Sequence, residues 1–381
     1  MSFIWNAWSR INLGIDLLAV LLSLGAATYA LRRWDPGVAF TFRTFKICVR
    51  ALVVAFCGWL PAIGYIGGIV GFCLMARLGW TTVTVTIPLL CLYLAHSRRA
   101  HWLMIVAVAL IGTKYYGEVW EPDNLEIERV TVTLPGLARR VKLVHLSDLQ
   151  TDVIGPLHER VRREANAFEP DLVVFTGDII NHPSLAGVAG DWLAGFTPAG
   201  YKYFVTGDVD GGFEVEGLLS RAGFEKLDGR RQVIEPAGAR LTLLGVDIWT
   251  WRETGYLARL ADDSPRPRLL LSHRPDAALM ADDAVDFVLS GHTHGGQVCL
   301  PLWGPIVTLS HVARKIAAGG LHRLGQVQIL VSRGLGWEGH VAPRVRIFCR
   351  PHLILVELLP QPSGDVSDPR KIVKKKPRQD P

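Results

Sequence analysis

The first third of the chain alternates long apolar runs with short basic loops. The apolar runs occupy residues 13–31, 51–76, 81–95 and 102–116. Because a membrane-spanning helix needs about 20 mainly apolar residues, the pattern predicts an all-α region of about four transmembrane helices over residues 1–117. The last two runs are shorter, so one of them could lie at the membrane interface instead. A signal peptide is disfavoured, because further apolar runs follow the first.

A polar linker at residues 118–127 precedes a different pattern, in which buried strands are separated by helices. We predict a helix at 155–168 and strands at residues 129–134, 140–146, 172–176, 201–206, 241–246, 268–272 and 284–290. Continuous apolar strands separated by helices indicate an α/β domain, which we place at residues 128–360. A basic tail at 361–381 is predicted to be disordered. It is either solvated or attracted to anionic lipid headgroups.

Charge is distributed unevenly along the chain. Residues 1–117 contain ten Lys or Arg and only two acids, Asp16 and Asp35, whereas the remainder has a slight acidic excess. The basic residues lie between apolar runs, which indicates membrane topology and not nucleic-acid binding. Most of them fall in the loops that face one side if there are four spans. That side is then cytoplasmic, and the α/β domain is extracytoplasmic at the cell (inner) membrane. A miscount of one helix would reverse this assignment.

Metal-binding side chains follow several of the predicted strands directly. Asp148, Asp178, Asp208 and His273 each come at the end of a strand, and a fifth strand is followed by the pair His292 and His294. In open α/β sheets, ligands bind just beyond the carboxyl ends of the strands. One such Asp would be an ordinary turn residue, but five strand ends of this kind predict that the side chains converge on a common cavity.

At these residues the chain resembles the calcineurin-like metallophosphoesterase superfamily. The sequence Gly-His-Thr-His-Gly-Gly-Gln at residues 291–297 is the most specific block, and it is similar to the motif of a membrane-associated bacterial branch. Residues 175–178, 271–273, 334–336 and 346–351 resemble other motifs of that branch in the same order. The resemblance covers residues 128–358. It implies a four-layer fold, a β-sandwich flanked by helices, with two divalent metal ions in one cleft.

The resemblance also implies which side chains hold the metals. The first metal would be bound by Asp148, Gln150, Asp178 and His294, and the second by Asp178, Asp208, His273 and His292. Asp178 would bridge the two ions, and Asp178, Asp208 and His292 would serve catalysis by activating water. Two metals can clamp a phosphate and stabilise both the attacking and the leaving oxygen. Mixed carboxylate and imidazole ligands suit Mn, Fe or Zn, and the added oxygen ligands here also admit Mg.

The chain departs from the family pattern at three positions. Gln150 and Val209 stand where the family has histidines, and Asp208 stands where it has Asn. Gln150 and Asp208 can still offer oxygen ligands, but Val209 cannot donate a proton. Either the leaving group needs no proton, as in a pyrophosphate linkage, or the site hydrolyses slowly or not at all. A substitute acid is a third possibility, for which His158, His182 and His340 are candidates, although each is more readily read as a surface residue.

These features predict a membrane-anchored, metal-dependent phosphoric ester hydrolase that acts on a phosphoester or pyrophosphate bond. Its expected partners are membrane lipids and a phosphorylated small-molecule or lipid-linked substrate, with no nucleic acid. The alternative is a catalytically weak metal- or phosphate-binding sensor or scaffold domain. Isolated bases could contact phosphate or simply be solvated: Arg314, Lys315, Arg333 and Arg350. Cys299 and Cys349 could form a disulfide or remain free.

Overall fold

The structure is a computed structural model that describes residues 68–98, 100–197, 200–212, 215–281, 283–339 and 342–361. The predicted span at 13–31, most of the span at 51–76, and the basic tail beyond Gln361 lie outside the described residues. His340 also lies outside them. The boundaries predicted for the membrane region, the linker, the α/β domain and the tail therefore stay predictions.

Two helices in the described part of the chain are long and apolar enough to cross a membrane, Val70–His96 and Trp102–Asp123. The first consists of α1 (Gly68–Thr81), a π-helical turn (Thr82–Thr86) and α2 (Ile87–Arg98). The second consists of α3 (Trp102–Tyr115) followed by short π and 3-10 segments. Four transmembrane helices are thus not confirmed. The described residues contain two helices that could cross a membrane.

Two predicted loops are helical instead. Residues 77–80, expected to separate the second and third spans, lie inside α1, because the single Gly79 costs a helix only about 1 kcal/mol. Residues 118–123, expected to be a linker, continue the second apolar helix, and Glu118 and Glu121 are buried there. Glu118 accepts hydrogen bonds from Trp80 and Lys114, so its charge is compensated by polar groups of both apolar helices.

The α/β domain is built from two six-stranded mixed sheets and a short hairpin, counted over the described residues. The first sheet has the order β1-β14-β2-β3-β4-β5, and the second has β12-β13-β9-β8-β7-β6, with β10 and β11 forming the hairpin. The strands are β1 (Glu126–Leu134), β2 (Val141–Leu146), β3 (Leu172–Phe175), β4 (Tyr201–Phe204), β5 (Glu225–Lys226), β6 (Arg231–Ile234), β7 (Leu241–Val246), β8 (Arg268–Ser272), β9 (Phe287–Ser290), β10 (Cys299–Leu300), β11 (Gly304–Pro305), β12 (Gly320–Leu324), β13 (Val327–Val331) and β14 (His352–Pro360).

Five further helices connect the strands: α4 (Pro156–Ala167), α5 (Ala186–Ala194), α6 (Val215–Arg221), α7 (Tyr256–Ala261) and α8 (Arg314–Ala317). Three apolar clusters define the layers. One lies between the two sheets, where Leu143 and Val174 meet Leu243 and Leu271. The second packs the outer face of the first sheet against α4, α5 and α6, and the third packs the second sheet against α7 and α8. The result is a mixed α/β domain with two sheets between helical layers.

The predicted strands fall where the pattern places them. The strands at 241–246 and 268–272 have the expected bounds, whereas the one expected at 284–290 begins later, at Phe287. Asp286 instead accepts a hydrogen bond from the backbone N–H of Arg268, which fixes the turn before β9. Strands β2, β3 and β4 are parallel, as are β7, β8 and β9. Each set therefore delivers its carboxyl ends to one edge.

Candidate metal centre

The side chains predicted to converge lie together at the carboxyl ends of the parallel strands. Asp148, Asp178 and His294 form one group, and Asp208, His273 and His292 form a second, each with ligand atoms within 4.8 Å of one another. His273 Nε2 lies 3.4 Å from Asp178 Oδ2, which joins the two groups. Each group contains three of the four side chains that the resemblance implies for one metal ion, and Asp178, which it assigns to both ions, lies next to the second group.

Backbone strain is concentrated at these residues. Asp148, Asp178, His292 and His294 all have positive φ, between 47° and 68°. Non-glycine residues rarely adopt this conformation, which costs on the order of 1–3 kcal/mol and persists where the surrounding fold enforces it. Gly291 lets its loop approach these residues closely, because a Cβ there would lie 1.9 Å from Ser147 Oγ and 2.1 Å from Asp148 Oδ2.

Asp210 holds two of the loops together, a role that the sequence reading did not assign. Its carboxylate accepts hydrogen bonds from the backbone N–H groups of Asp178 (2.9 Å), Ile179 (3.0 Å) and Gly207 (2.7 Å). Asp178 Oδ1 in turn accepts from the N–H of Val209 at 3.0 Å. The loops that carry Asp178 and Asp208 are therefore fastened to each other through backbone donors.

The histidines of the second group are oriented by carbonyl groups. His273 Nδ1 lies 2.8 Å from the Thr176 carbonyl, and His292 Nε2 lies 3.2 Å from the Leu309 carbonyl. With those nitrogens donating, His273 Nε2 and His292 Nδ1 face each other at 3.2 Å with lone pairs only. Such a contact needs a proton or a cation between the rings, and metal-binding histidines are oriented by outer hydrogen bonds of this kind.

The side chain of Gln150 contacts the first group through Asp178. Its Nε2 donates to Asp178 Oδ2 at 2.9 Å, and its buried Oε1 has no hydrogen-bond partner among the described residues. His294 Nδ1 is buried and unpartnered in the same sense. Buried polar atoms are normally satisfied, so the unpartnered Gln150 Oε1 fits a ligand atom for a cation, and His294 Nε2, 3.6 Å from Asp148 Oδ1, is a second. The donor set thus suits two divalent ions.

The buried carboxylates and histidines of the two groups shift one another's pKa values. Burial raises the pKa of Asp148 to about 7, an effect that His273 opposes and Asp178 reinforces. Burial acts in the same direction on Asp178, but His273 outweighs it and lowers the pKa of Asp178 to about 2. Burial acts to lower the pKa of His273, but Asp178, Asp148 and Asp208 together raise it well above its ordinary value.

A cleft of about 320 Å³ opens beside the second group and shows three residues that the sequence reading missed. Arg274 makes a two-point ion pair with Asp208, with Nη2 to Oδ2 at 2.6 Å and Nε to Oδ1 at 3.3 Å. Trp249 and Glu338 also line the cleft, and burial together with Asp178 raises the pKa of Glu338 to about 7. Only Arg274 could have been suspected, from its position next to His273.

The remaining candidates lie elsewhere. His158 is buried and accepts a hydrogen bond from the N–H of Gly155 at the start of α4, so the expectation of a surface residue is wrong for it. His182 is exposed and pairs with Ser184. Arg333 pairs with Glu126, and Arg350 lies 4.0 Å from Glu121. Cys299 and Cys349 are free thiols. The residues that line the cleft do not include His158, His182, Arg333 or Arg350.

Comparison with known proteins agrees with this geometry. The family description "calcineurin-like phosphoesterase" matches residues 141–296. The metallophosphoesterase YkuE of Bacillus subtilis is 32% identical to this chain, and the match covers 58% of this chain and 82% of YkuE. Phosphodiesterase YaeI of Escherichia coli is 30% identical over 68% of this chain and 99% of its own length. A transmembrane protein with a metallophosphoesterase domain from Danio rerio is 29% identical, covering 64% of this chain and 60% of that protein.

The chain belongs to the calcineurin-like metallophosphoesterase family. Members of this family bind divalent metal ions, and the two groups of ligand atoms provide candidate sites for them. The family predicts a hydrolase that acts on phosphoesters. Two apolar helices and relatives named as transmembrane proteins indicate association with a membrane.

Proposed function

We propose that the protein is a membrane-anchored phosphoesterase of the branch with the Gly-His-Thr-His-Gly-Gly-Gln motif, working with two divalent cations. Asp148, Gln150, Asp178 and His294 would hold the first cation, and Asp178, Asp208, His273 and His292 the second. The observation that carries the proposal is the pairing of the two ligand groups through His273 and Asp178 at 3.4 Å. The cations would supply Lewis acidity, withdrawing charge from the phosphoryl group and acidifying water.

The chain itself supplies position and charge balance. Asp210 fixes the loops of Asp178 and Asp208, and the Leu309 carbonyl fixes the ring of His292. Arg274 offers a planar, always charged donor at the cleft, suited to a phosphate oxygen. Val209 lines the same cleft, and its side chain has no proton to donate. We therefore expect the leaving group to be one that needs no protonation, such as the phosphate of a pyrophosphate linkage or an activated ester.

Membrane anchoring makes a membrane-derived substrate plausible: a phospholipid, a lipid-linked pyrophosphate or a nucleotide-sugar lipid precursor. This part of the proposal rests on location. With four spans, the excess of Lys and Arg in the predicted loops favours the extracytoplasmic side of the cell membrane for the domain. Residues 77–80 are helical, which removes the loop expected between the second and third spans, and one span fewer reverses the side. Protease protection of oriented vesicles is therefore the direct check of sidedness.

The test uses the purified full chain with Mn²⁺. We expect about two equivalents of bound metal and hydrolysis of bis-p-nitrophenyl phosphate and of a pyrophosphate diester. Asp178→Ala should lose both, whereas Asp191→Ala, at an exposed position on α5, should lose neither. Undiminished metal content and turnover in Asp178→Ala would overturn the bridging role, and a metal-free wild type would overturn the enzyme proposal itself.

A second function, a metal- or phosphate-binding sensor or scaffold, is favoured by Gln150 and Val209, which stand where the family has histidines. Val209→His distinguishes the two. For an enzyme that lacks only its proton donor, this variant should hydrolyse esters with poor leaving groups faster than the wild type, by up to the 10²–10⁴-fold typical of a positioned acid. For a sensor, wild type and variant should both bind metal and turn over neither class of substrate.

A further inference from the structure

An exposed apolar surface surrounds the hairpin of β10 and β11. Its large hydrophobic side chains are Leu300, Leu302, Trp303, Ile306, Val307 and Leu309, which we call the apolar hairpin. Leu302 is fully exposed, and 66% of Trp303 is accessible. Soluble proteins rarely expose so many large apolar side chains together, and such patches mark interaction sites. The family match ends at residue 296, just before this segment.

The hairpin is connected by direct contacts to the end of the second apolar helix. Ile347 bridges both sides: its N–H donates to the Gln297 carbonyl at 2.8 Å, and its carbonyl accepts from Cys299 at 2.9 Å. The neighbouring Arg346 N–H donates to the Gly117 carbonyl at 2.8 Å. The ring of Phe348, which is 61% exposed, lies 5.6 Å from that of Tyr116. The patch is therefore continuous with the helix at the point where it meets the domain.

The electrostatics of this surface suit anionic lipid. The sequence has no acidic residue between Asp286 and Glu338, and the bases Arg314 and Lys315 follow the hairpin. The Arg314 guanidinium lies over the Trp303 ring at 5.0 Å, and that of Arg350 over the Trp120 ring at 5.9 Å. A tryptophan beside a basic side chain is typical of the headgroup level of a membrane. There the ring contacts apolar chains while the charge stays hydrated.

We propose that the apolar hairpin inserts into the membrane interface beside the second apolar helix, so that the domain lies against the bilayer. The occupant is the lipid surface, because the patch continues from an apolar helix that is itself long enough to span it. An apolar face flanked by bases is the arrangement of interfacial membrane-binding segments.

This surface reaches the metal centre directly. Leu309, at the end of the hairpin, provides the carbonyl that orients His292 at 3.2 Å. The same segment therefore contributes both to the candidate metal centre and to the apolar hairpin. Resting on the proposed function, this favours a phosphate ester carried by a membrane lipid as the substrate, since such phosphates lie at the surface that the hairpin enters.

The experiment places a fluorescent amino acid at single positions in the full chain, reconstituted in nanodiscs of phosphatidylethanolamine and phosphatidylglycerol. The positions are Leu302→acridonylalanine in the hairpin, Ile105→acridonylalanine on the exposed face of α3, and Val188→acridonylalanine on the exposed surface of α5. Quenching by lipids with a doxyl group is compared with quenching by aqueous iodide. No turnover is required, so the result does not depend on hydrolysis.

We expect lipid quenching at positions 302 and 105 to be several-fold stronger than at 188, with the shallow doxyl group more effective at 302. Introducing Trp303→Ser together with Ile306→Asp should return position 302 to the iodide accessibility of 188. Lipid quenching at 105 but not at 302 would overturn this inference and leave membrane anchoring intact. Lipid quenching at neither position would overturn anchoring and the inference with it.

Discussion

The carboxylate of Asp210 offers the sharpest test of how the metal centre is held. It is buried and accepts three backbone hydrogen bonds, two through Oδ2 and one through Oδ1. Hydrogen bonds to charged groups are worth roughly 1.5–3 kcal/mol each, and an unmade buried bond costs a similar amount. Burial of the charge, which raises the pKa of Asp210 to about 6, offsets part of that gain. We therefore expect Asp210→Ala to destabilise the fold by about 2–4 kcal/mol.

Asp210→Asn should be milder in a predictable way. The amide oxygen can occupy the Oδ2 position and accept from Asp178 and Gly207, but the amide nitrogen then faces the N–H of Ile179. One of three bonds is lost, which corresponds to about 1–2 kcal/mol. Because Asp178 and Asp208 are aimed through these bonds, metal affinity should fall about 10–100-fold in the Ala variant and less in the Asn variant.

The assay combines thermal unfolding of the purified full chain, followed by tryptophan fluorescence, with competition for Mn²⁺ against a chelator. Asp286→Ala is the matched control, since Asp286 accepts the N–H of Arg268 at the opposite, amino ends of the strands. It should lower stability without changing metal affinity. If Asp210→Ala unfolds earlier yet binds Mn²⁺ as the wild type does, the positioning role assigned to Asp210 is wrong.

Three further predictions concern the neighbourhood of the site. Arg274→Gln should release Asp208, tightening Mn²⁺ binding while weakening inhibition by inorganic phosphate, both measured by calorimetry; unchanged values would contradict the ion pair's influence. Gly291→Ala should displace Asp148 and lower metal content in elemental analysis, because the added Cβ overlaps Ser147 and Asp148, whereas Gly187→Ala, in open space, should not. His145 is fully buried, and burial lowers its pKa to about 3. The stability that the neutral imidazole contributes is therefore present above pH 6.5. It is lost as the pH falls toward 3, at up to about 1.4 kcal/mol per pH unit. In chelated samples His145→Gln should unfold with a shallower acid dependence; an identical slope would refute this.

The strand ends were predictable because they depend on local pattern. Apolar runs such as residues 241–246 and 268–272 can be satisfied only as buried strands, and their bounds in the structure are those predicted. The acids and histidines that follow them then meet without further information, since parallel strands present their carboxyl ends at one edge. The membrane region was less predictable. A single Arg77 and Gly79 read as a loop but lie in a helix, because burial against neighbouring segments outweighs local polarity.

The sequence by itself determined the α/β class, the family and the six acids and histidines that converge, because each is encoded in a short stretch of chain. Only the tertiary structure brought Arg274 onto Asp208, turned the Asp210 carboxylate toward three backbone donors and set the apolar hairpin beside the end of the second apolar helix. Those contacts join segments distant along the chain or depend on side-chain direction. Their energies are decided by burial and hydrogen-bond geometry, which no local pattern of residues specifies.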